Sequence, residues 1–323
     1  MNFRSVQDLN SIISTNISLL KCENFELVVG VPRSGMLPAS ILALKLNLPL
    51  MSISEYIDNS AITHGRTRKP SSKIVKAHDA LKVLIVDDSI SSGDSIREVK
   101  VKIPEHLLGK CRFMAIYGVG KNTDIDIVLE TVALPRIFEW NAMYHGIVKD
   151  ACFDIDGVLC EDPAEWQNDD GEKYLEFIEN AKPLYLPLTT IDTLVTNRLE
   201  KYRRETEAWL KKYNIKYHRL EMLQVESKEE RLDQVDYFKH KSDVYKKSSA
   251  KIFYESSLQQ AQEIYKRTKK PVYCVDEHFL ITPTILRSLL KPKTLKWIVK
   301  ERLYSYKLIR TTSKLIKKLR YVK

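Results

Sequence analysis

The residues with the most chemistry in them run from Val83 to Ser95, VLIVDDSISSGDS. Val83-Leu84-Ile85-Val86 is too short an apolar run for a helix and is rich in β-branched types, which predicts a buried strand. It ends on two carboxylates, Asp87 and Asp88, followed by a small-residue loop, Ser89 to Ser95, and a helix predicted over Ile96 to Lys102. A strand, a Ser/Gly loop and a helix N-terminus make a phosphate cradle, because unpaired N–H groups and the helix dipole both favour an anion. The acid pair would repel that phosphate. It suits vicinal hydroxyls, or Mg²⁺. A phosphate and a diol on one ligand describe a ribose 5-phosphate.

Two further constellations sit at predicted strand ends. Phe25-Glu26-Leu27-Val28-Val29 runs into Gly30-Val31-Pro32-Arg33-Ser34-Gly35, at the carboxyl end of a strand, where open α/β sheets bind ligands. Ala151-Cys152-Phe153 runs into Asp154-Ile155-Asp156-Gly157, two acids spaced so that both reach one site. A calcium loop of EF-hand type would need later acids and a glutamate that are missing here.

Val83 to Ser95 resembles the phosphoribosyl-diphosphate signature of the type I phosphoribosyltransferases, and Pro32-Arg33-Ser34-Gly35 is similar to their pyrophosphate loop. The resemblance implies that Arg33, Ser34 and Gly35 bind pyrophosphate. Asp87 and Asp88 would hold the ribose, and Ser91, Ser92, Gly93, Asp94 and Ser95 the 5-phosphate. It also implies a mobile hood over Asp58 to Ala80, where Arg66, Arg68, Lys69, Lys73 and Lys76 cluster; composition alone fits a solvated loop equally well.

Asp154-Ile155-Asp156-Gly157 resembles the first motif of the haloacid dehalogenase (HAD) superfamily of phosphatases. This implies Asp154 as nucleophile and Asp156 as acid and base. It further implies Thr196, at the end of a strand Leu194 to Arg198, as phosphoryl holder. Lys241 is the favoured neutralising lysine, with Lys239 and Lys246 as rivals. Asp154, the Asp156 carbonyl and Glu255 would be the Mg²⁺ ligands. One departure stands out: where that superfamily usually places two acids, this chain has Glu255 followed by Ser256.

The elements that must position these residues alternate strand with helix. That pattern predicts an α/β chain of two doubly wound, mostly parallel sheets. The first domain is expected over residues 1–147, the HAD-like one over 148–285, and a basic amphipathic helical tail over 286–323. An amphipathic helix opens the chain within Met1 to Leu20. Further strands are predicted over Leu50 to Ile53, Cys111 to Val119 and Ile125 to Val132, and helices over Leu37 to Leu46 and Tyr202 to Tyr213. Only forty residues separate Asp156 from Thr196, little room for a cap over the site. The 323 residues suffice for two cores, and 44% apolar content is ordinary for a globular protein. No stretch resembles a signal peptide or a membrane span, and five scattered cysteines read as reduced thiols.

The net charge of +10 is local. Arg287 to Lys323 holds thirteen Lys or Arg against one acid, Glu301, so the other 286 residues carry about −2. Three readings of this tail stand: contact with an anionic membrane surface, packing on the domains, or nucleic acid binding without a recognition motif.

The combined resemblance, covering nearly all of residues 20 to 280, is to phosphoribosyltransferase–HAD fusions that install ribofuranose on bacterial surface glycans. It implies transfer of 5-phosphoribosyl from phosphoribosyl diphosphate to a glycan or lipid-linked glycan acceptor, then removal of the 5-phosphate. Mg²⁺ would be the cofactor. The location would be cytoplasmic, peripheral on the inner face of the cell membrane, and the assembly a homodimer. The alternatives are a nucleobase phosphoribosyltransferase fused to a nucleotidase, and a non-catalytic phosphoribosyl-diphosphate sensor. Against the purine version, such enzymes often carry an acid where this chain has Ser91.

Overall fold

The computed structural model describes residues 1–63, 65, 67, 73–120, 122–168, 171–224, 238–283 and 285–286. The chain divides into two compact units, Met1–His145 and Gly146–Lys323.

In the first unit, β1 (Asn2–Arg4) precedes α1 (Val6–Cys22), whose start is fixed by a reciprocal cap between Ser5 and Asp8. There follow β2 (Leu27–Gly30), α2 (Met36–Leu46), β3 (Leu50–Ser52), α3 (Ile53–Ile57), β4 (Val83–Ser89), α4 (Asp94–Lys102), α5 (Glu105–Leu108), β5 (Cys111–Gly118), β6 (Ile127–Thr131) and β7 (Arg136–Phe138). The order β3-β2-β4-β5-β6 makes a five-stranded sheet, parallel throughout. Alternate residues of β4 feed opposite cores. Val83 and Ile85 join one with Tyr56 and Ile96, while Leu84 and Val86 join the other with Leu9 and Leu42. This two-sided burial is why the strand reads as an unbroken apolar run.

β4 runs past the predicted end at Val86 because Asp87 and Ser89 stay in register with Ala115 and Tyr117 of β5. The acids therefore sit on the strand itself. The sequence pattern did not contain β1 and β7, three-residue strands that pair in parallel as a separate small sheet. Nor did it contain α3, whose first turn is capped by Ser52 and Glu55.

In the second unit, β8 (Ala151–Phe153), α6 (Glu172–Asn180), β9 (Ile191–Leu199), α7 (Arg203–Lys212), β10 (Tyr217–Leu223), α8 (Lys239–Lys247), β11 (Ile252–Glu255), α9 (Leu258–Thr268), β12 (Val272–Cys274) and β13 (Phe279–Ile281) follow in order. The six-stranded sheet β10-β9-β8-β11-β12-β13 is parallel except for β13. Cys22 is exposed and the other four cysteines are buried, all as free thiols. Among the described residues no helix is long and apolar enough to cross a membrane. Residues 287–323, with the basic tail, and Arg66, Arg68 and Lys69 of the expected hood lie outside the described residues. Lys73 and Lys76 are exposed, and Ala61 bridges Lys76 where the two arms of that segment meet.

Candidate functional site

In the first unit, Asp87 and Asp88 lie at the carboxyl end of β4, the middle strand, and both are buried. Asp88 accepts a hydrogen bond on each oxygen: Ser34 Oγ donates to Oδ1 at 3.0 Å and Trp140 Nε1 donates to Oδ2 at 2.7 Å. Asp87 Oδ1 accepts from the Asp88 N–H at 2.8 Å. Burial, and then repulsion from Asp88, pushes the Asp87 carboxyl up to about 7. Among the described residues neither acid forms an ion pair with Lys or Arg. A buried acid pair without a cation fits a ligand that brings hydroxyl donors or Mg²⁺.

The Arg33 loop is drawn onto the same strand. Val31 donates to the Val86 carbonyl at 2.9 Å. A Cβ on Gly35 would stand 2.6 Å from the Val31 oxygen, 2.7 Å from the Val86 oxygen and 2.9 Å from Asp87 Cα. Glycine is what allows this approach. Arg33 is exposed beside it, and its peptide bond to Pro32 is cis.

On the other side, Ser91, Ser92, Asp94 and Ser95 are exposed around buried Gly93, which takes φ +87° immediately before α4. Asp94 is engaged by its neighbours. It accepts from Ser92 Oγ at 2.6 Å and pairs with Arg97, which also binds Asp124. The Ser92 hydrogen bond, and then Arg97, hold its carboxyl below the usual range.

In the second unit, Asp154, Asp156, Thr196 and Lys241 line one cavity of about 440 Å³, together with Asp162, Asn168, Tyr174, Asn197, Ser256, Gln260 and Asp276. Lys241 is buried on α8 and donates to Asp154 Oδ2 at 2.5 Å, Glu255 Oε2 at 2.8 Å and Gln260 Oε1 at 2.8 Å. Its rivals Lys239 and Lys246 are exposed. Burial opposes the charge of Lys241, but Asp154 and Glu255 outweigh it and raise its pKa. Burial likewise pushes Asp154 up, against the pull of Lys241.

A second buried cation answers Asp156. Arg198 Nε lies 3.2 and 3.1 Å from Asp156 Oδ1 and Oδ2, and Nη2 lies 2.6 Å from Oδ1. Gly157 turns the chain at φ +74° beneath Ser256 and Asp162; a Cβ there would stand 2.3 Å from Ser256 Oγ and 2.8 Å from Asp162 Oδ2. Burial, followed by the charges of Asp156, Asp276 and Glu255, pushes Asp162 up to about 6.

Of the Mg²⁺ ligands expected from sequence, the Asp154 and Glu255 carboxylates share the Lys241 ammonium, at 2.5 and 2.8 Å. Glu255 is fully buried with both oxygens engaged, Oε2 by Lys241 and Oε1 by the Ser257 N–H at 3.1 Å. Among the described residues no group of three or more His, Cys, Asp or Glu is arranged to hold a metal. The carboxylates that line the cavity with Asp154 are Asp156, Asp162 and Asp276. Asp162 and Tyr174 come from the interval between Asp156 and Thr196, where α6 and its approach line the cavity.

Sequence reasoning missed Trp140, Arg198, Asp162, Gln260 and Asp276. Arg198 carried a signal. It lies two residues beyond Thr196 on β9 and so shares its face of the strand.

Residues 4–106 match the family model described as the phosphoribosyl transferase domain. Orotate phosphoribosyltransferase of Sulfolobus acidocaldarius is 33% identical over 85 residues, 26% of this chain and 39% of that protein, so the chain spans well under half of its curated relative. Among solved structures, purine phosphoribosyltransferase from Pyrococcus horikoshii is 18% identical with a TM-score of 0.33, covering 43% of this chain and 95% of that one. Xanthine-guanine-hypoxanthine phosphoribosyltransferase from Helicobacter pylori is 20% identical with a TM-score of 0.33, covering 43% and 92%. The first unit carries a phosphoribosyltransferase domain.

Proposed function

We propose that the chain joins two reactions. The first unit transfers a 5-phosphoribosyl group from phosphoribosyl diphosphate to an acceptor, and the second unit then removes the 5-phosphate. The observation that carries the first step is the hydrogen bond from Ser34 to Asp88, which ties the Arg33 loop to the acid pair. Arg33 and the loop N–H groups would take the departing pyrophosphate. Asp87 and Asp88 would hold the ribose hydroxyls as positive charge develops at the anomeric carbon, and the N–H groups of Ser91 to Ser95 would hold the 5-phosphate. Mg²⁺ carried in with the donor would sit beside Asp87 and Asp88 and neutralise the leaving group.

For the second step, Asp154 attacks phosphorus as the bond to the ribose oxygen breaks, that oxygen taking a proton from Asp156; Asp156 then takes a proton from the water that splits the aspartyl phosphate, releasing phosphate and restoring Asp154. Thr196 holds a phosphoryl oxygen, and Lys241 balances the charge of Asp154. The walls, with Asn168, Asn197, Gln260, Asp162 and Asp276, offer hydrogen bonds to a hydroxyl-rich sugar phosphate. That favours a glycan acceptor, reached at an anionic membrane surface if the basic tail serves as the anchor.

A nucleobase acceptor is the second reading, and the match to an orotate enzyme favours it. Incubation with labelled phosphoribosyl diphosphate separates the two. Pyrophosphate release that depends on a glycan supports the first, and release that depends on orotate or another free base supports the second. An Asp154→Asn variant is expected to accumulate the phosphoribosylated acceptor. If it yields the dephosphorylated product instead, the coupling of the two units is wrong.

A further inference from the structure

Arg136, Phe138 and Trp140 alternate along β7 and the turn after it, and their side chains form one continuous column. The Arg136 guanidinium lies 5.4 Å from the centre of the Phe138 ring. Phe138 and Trp140 stack at 4.9 Å with their planes 6° apart, and Phe138 also stacks on Tyr117 at 5.1 Å. Each end of the column grips the donor site. Arg136 Nη2 donates to the Ile90 carbonyl at 2.9 Å, and Trp140 Nε1 donates to Asp88 Oδ2 at 2.7 Å.

We propose that Arg136 and Trp140 are positioning residues for phosphoribosyl diphosphate, bracing Ile90 at the mouth of the phosphate loop and Asp88 at the ribose. The inference rests on the donor site proposed above and adds residues beyond the 4–106 family match. With Ser34 on Oδ1 and Trp140 on Oδ2, the Asp88 carboxylate cannot rotate without breaking a charged hydrogen bond. The column cannot drift either. Its rings are stacked on β5, and β7 is hydrogen-bonded in register with β1. Arg136 is buried, and its donors go to the carbonyls of Val132 and Ile90, so its charge is spent on holding backbone.

The test is Trp140→Phe, which keeps an aromatic ring and removes the N–H. Calorimetric titration with Mg²⁺ and phosphoribosyl diphosphate is expected to show binding weakened about tenfold. Pyrophosphate without Mg²⁺, which would meet the Arg33 loop and reach Asp88 only through Ser34, should be weakened less. In the background of Asp88→Asn, the same substitution should cost little more. Equal weakening of both ligands, or additive losses in the double variant, would show Trp140 acting through packing and overturn the proposal. Failure of the wild-type chain to bind phosphoribosyl diphosphate would remove the donor site itself, and with it the brace. Should Trp140→Phe unfold, Arg136→Lys gives the same comparison, and equal loss of both ligands again overturns it.

Discussion

Each unit ends a central strand on carboxylates, and the two treat buried negative charge in opposite ways. In the first, Asp87 and Asp88 are buried side by side with hydrogen bonds from Ser34 and Trp140 and no basic partner among the described residues. In the second, Asp154 has Lys241 and Asp156 has Arg198, both cations almost fully buried. Desolvating a carboxylate is costly unless it is paired. The first site leaves that cost standing, to be relieved by a ligand. The second relieves it within the fold, which leaves less attraction for an arriving cation and less repulsion toward an arriving phosphate.

The largest effect expected from this contrast is at Lys241. Lys241→Met leaves Asp154 and Glu255 buried without their shared ammonium. Urea unfolding should show a loss of about 3–5 kcal/mol, and the proposed dephosphorylation step should be lost with it. A loss below about 1 kcal/mol would mean that the pairing stabilises little and the contrast is mistaken.

Asp87 should behave in the opposite sense. Its folded carboxyl titrates near 7 against an ordinary 3.8, so folding strengthens its hold on a proton. The stability it contributes is complete below pH 3.8 and is lost as pH rises to 7. Removing the charge with Asp87→Asn should flatten that slope and stabilise the chain at neutral pH, by on the order of 3 kcal/mol. Thermal unfolding across pH 4 to 8 reads this directly. Parallel curves for wild type and variant would mean that the acid pair carries no uncompensated charge.

The smallest effect is expected at Arg97, whose pairs with Asp94 and Asp124 stand largely in water. Arg97→Ala should cost little stability, and less as salt is added. A larger, salt-independent loss in a denaturation series would place it among the structural cations with Lys241.

What could be read from sequence was local. The run Val83 to Val86, the acids after it and the glycines at 35, 93 and 157 each announce their conformation within a few residues. Trp140 does not, because its role exists only once a three-residue strand has folded back beside β1 and carried the ring to Asp88. Lys241 lay between these cases. It stands four residues before Tyr245, also buried, so helical periodicity separates it from exposed Lys239 and Lys246. Glu255 stands at the end of β11, as its sequence predicts, but its tie to Lys241 depends on the placing of α8, which the sequence alone does not orient.

The pairing of β1 with β7 also orders events during synthesis. A nascent chain that has reached residue 106 contains both the Arg33 loop and the acid pair, yet lacks the strand that seals β1 and the ring that steadies Asp88. Folding proceeds from the N-terminus as the chain emerges. The proposed donor site should therefore mature late, and suddenly, when residues 136–140 clear the ribosome. A chain stalled before that point would carry the sequence motifs and none of the steadiness they need.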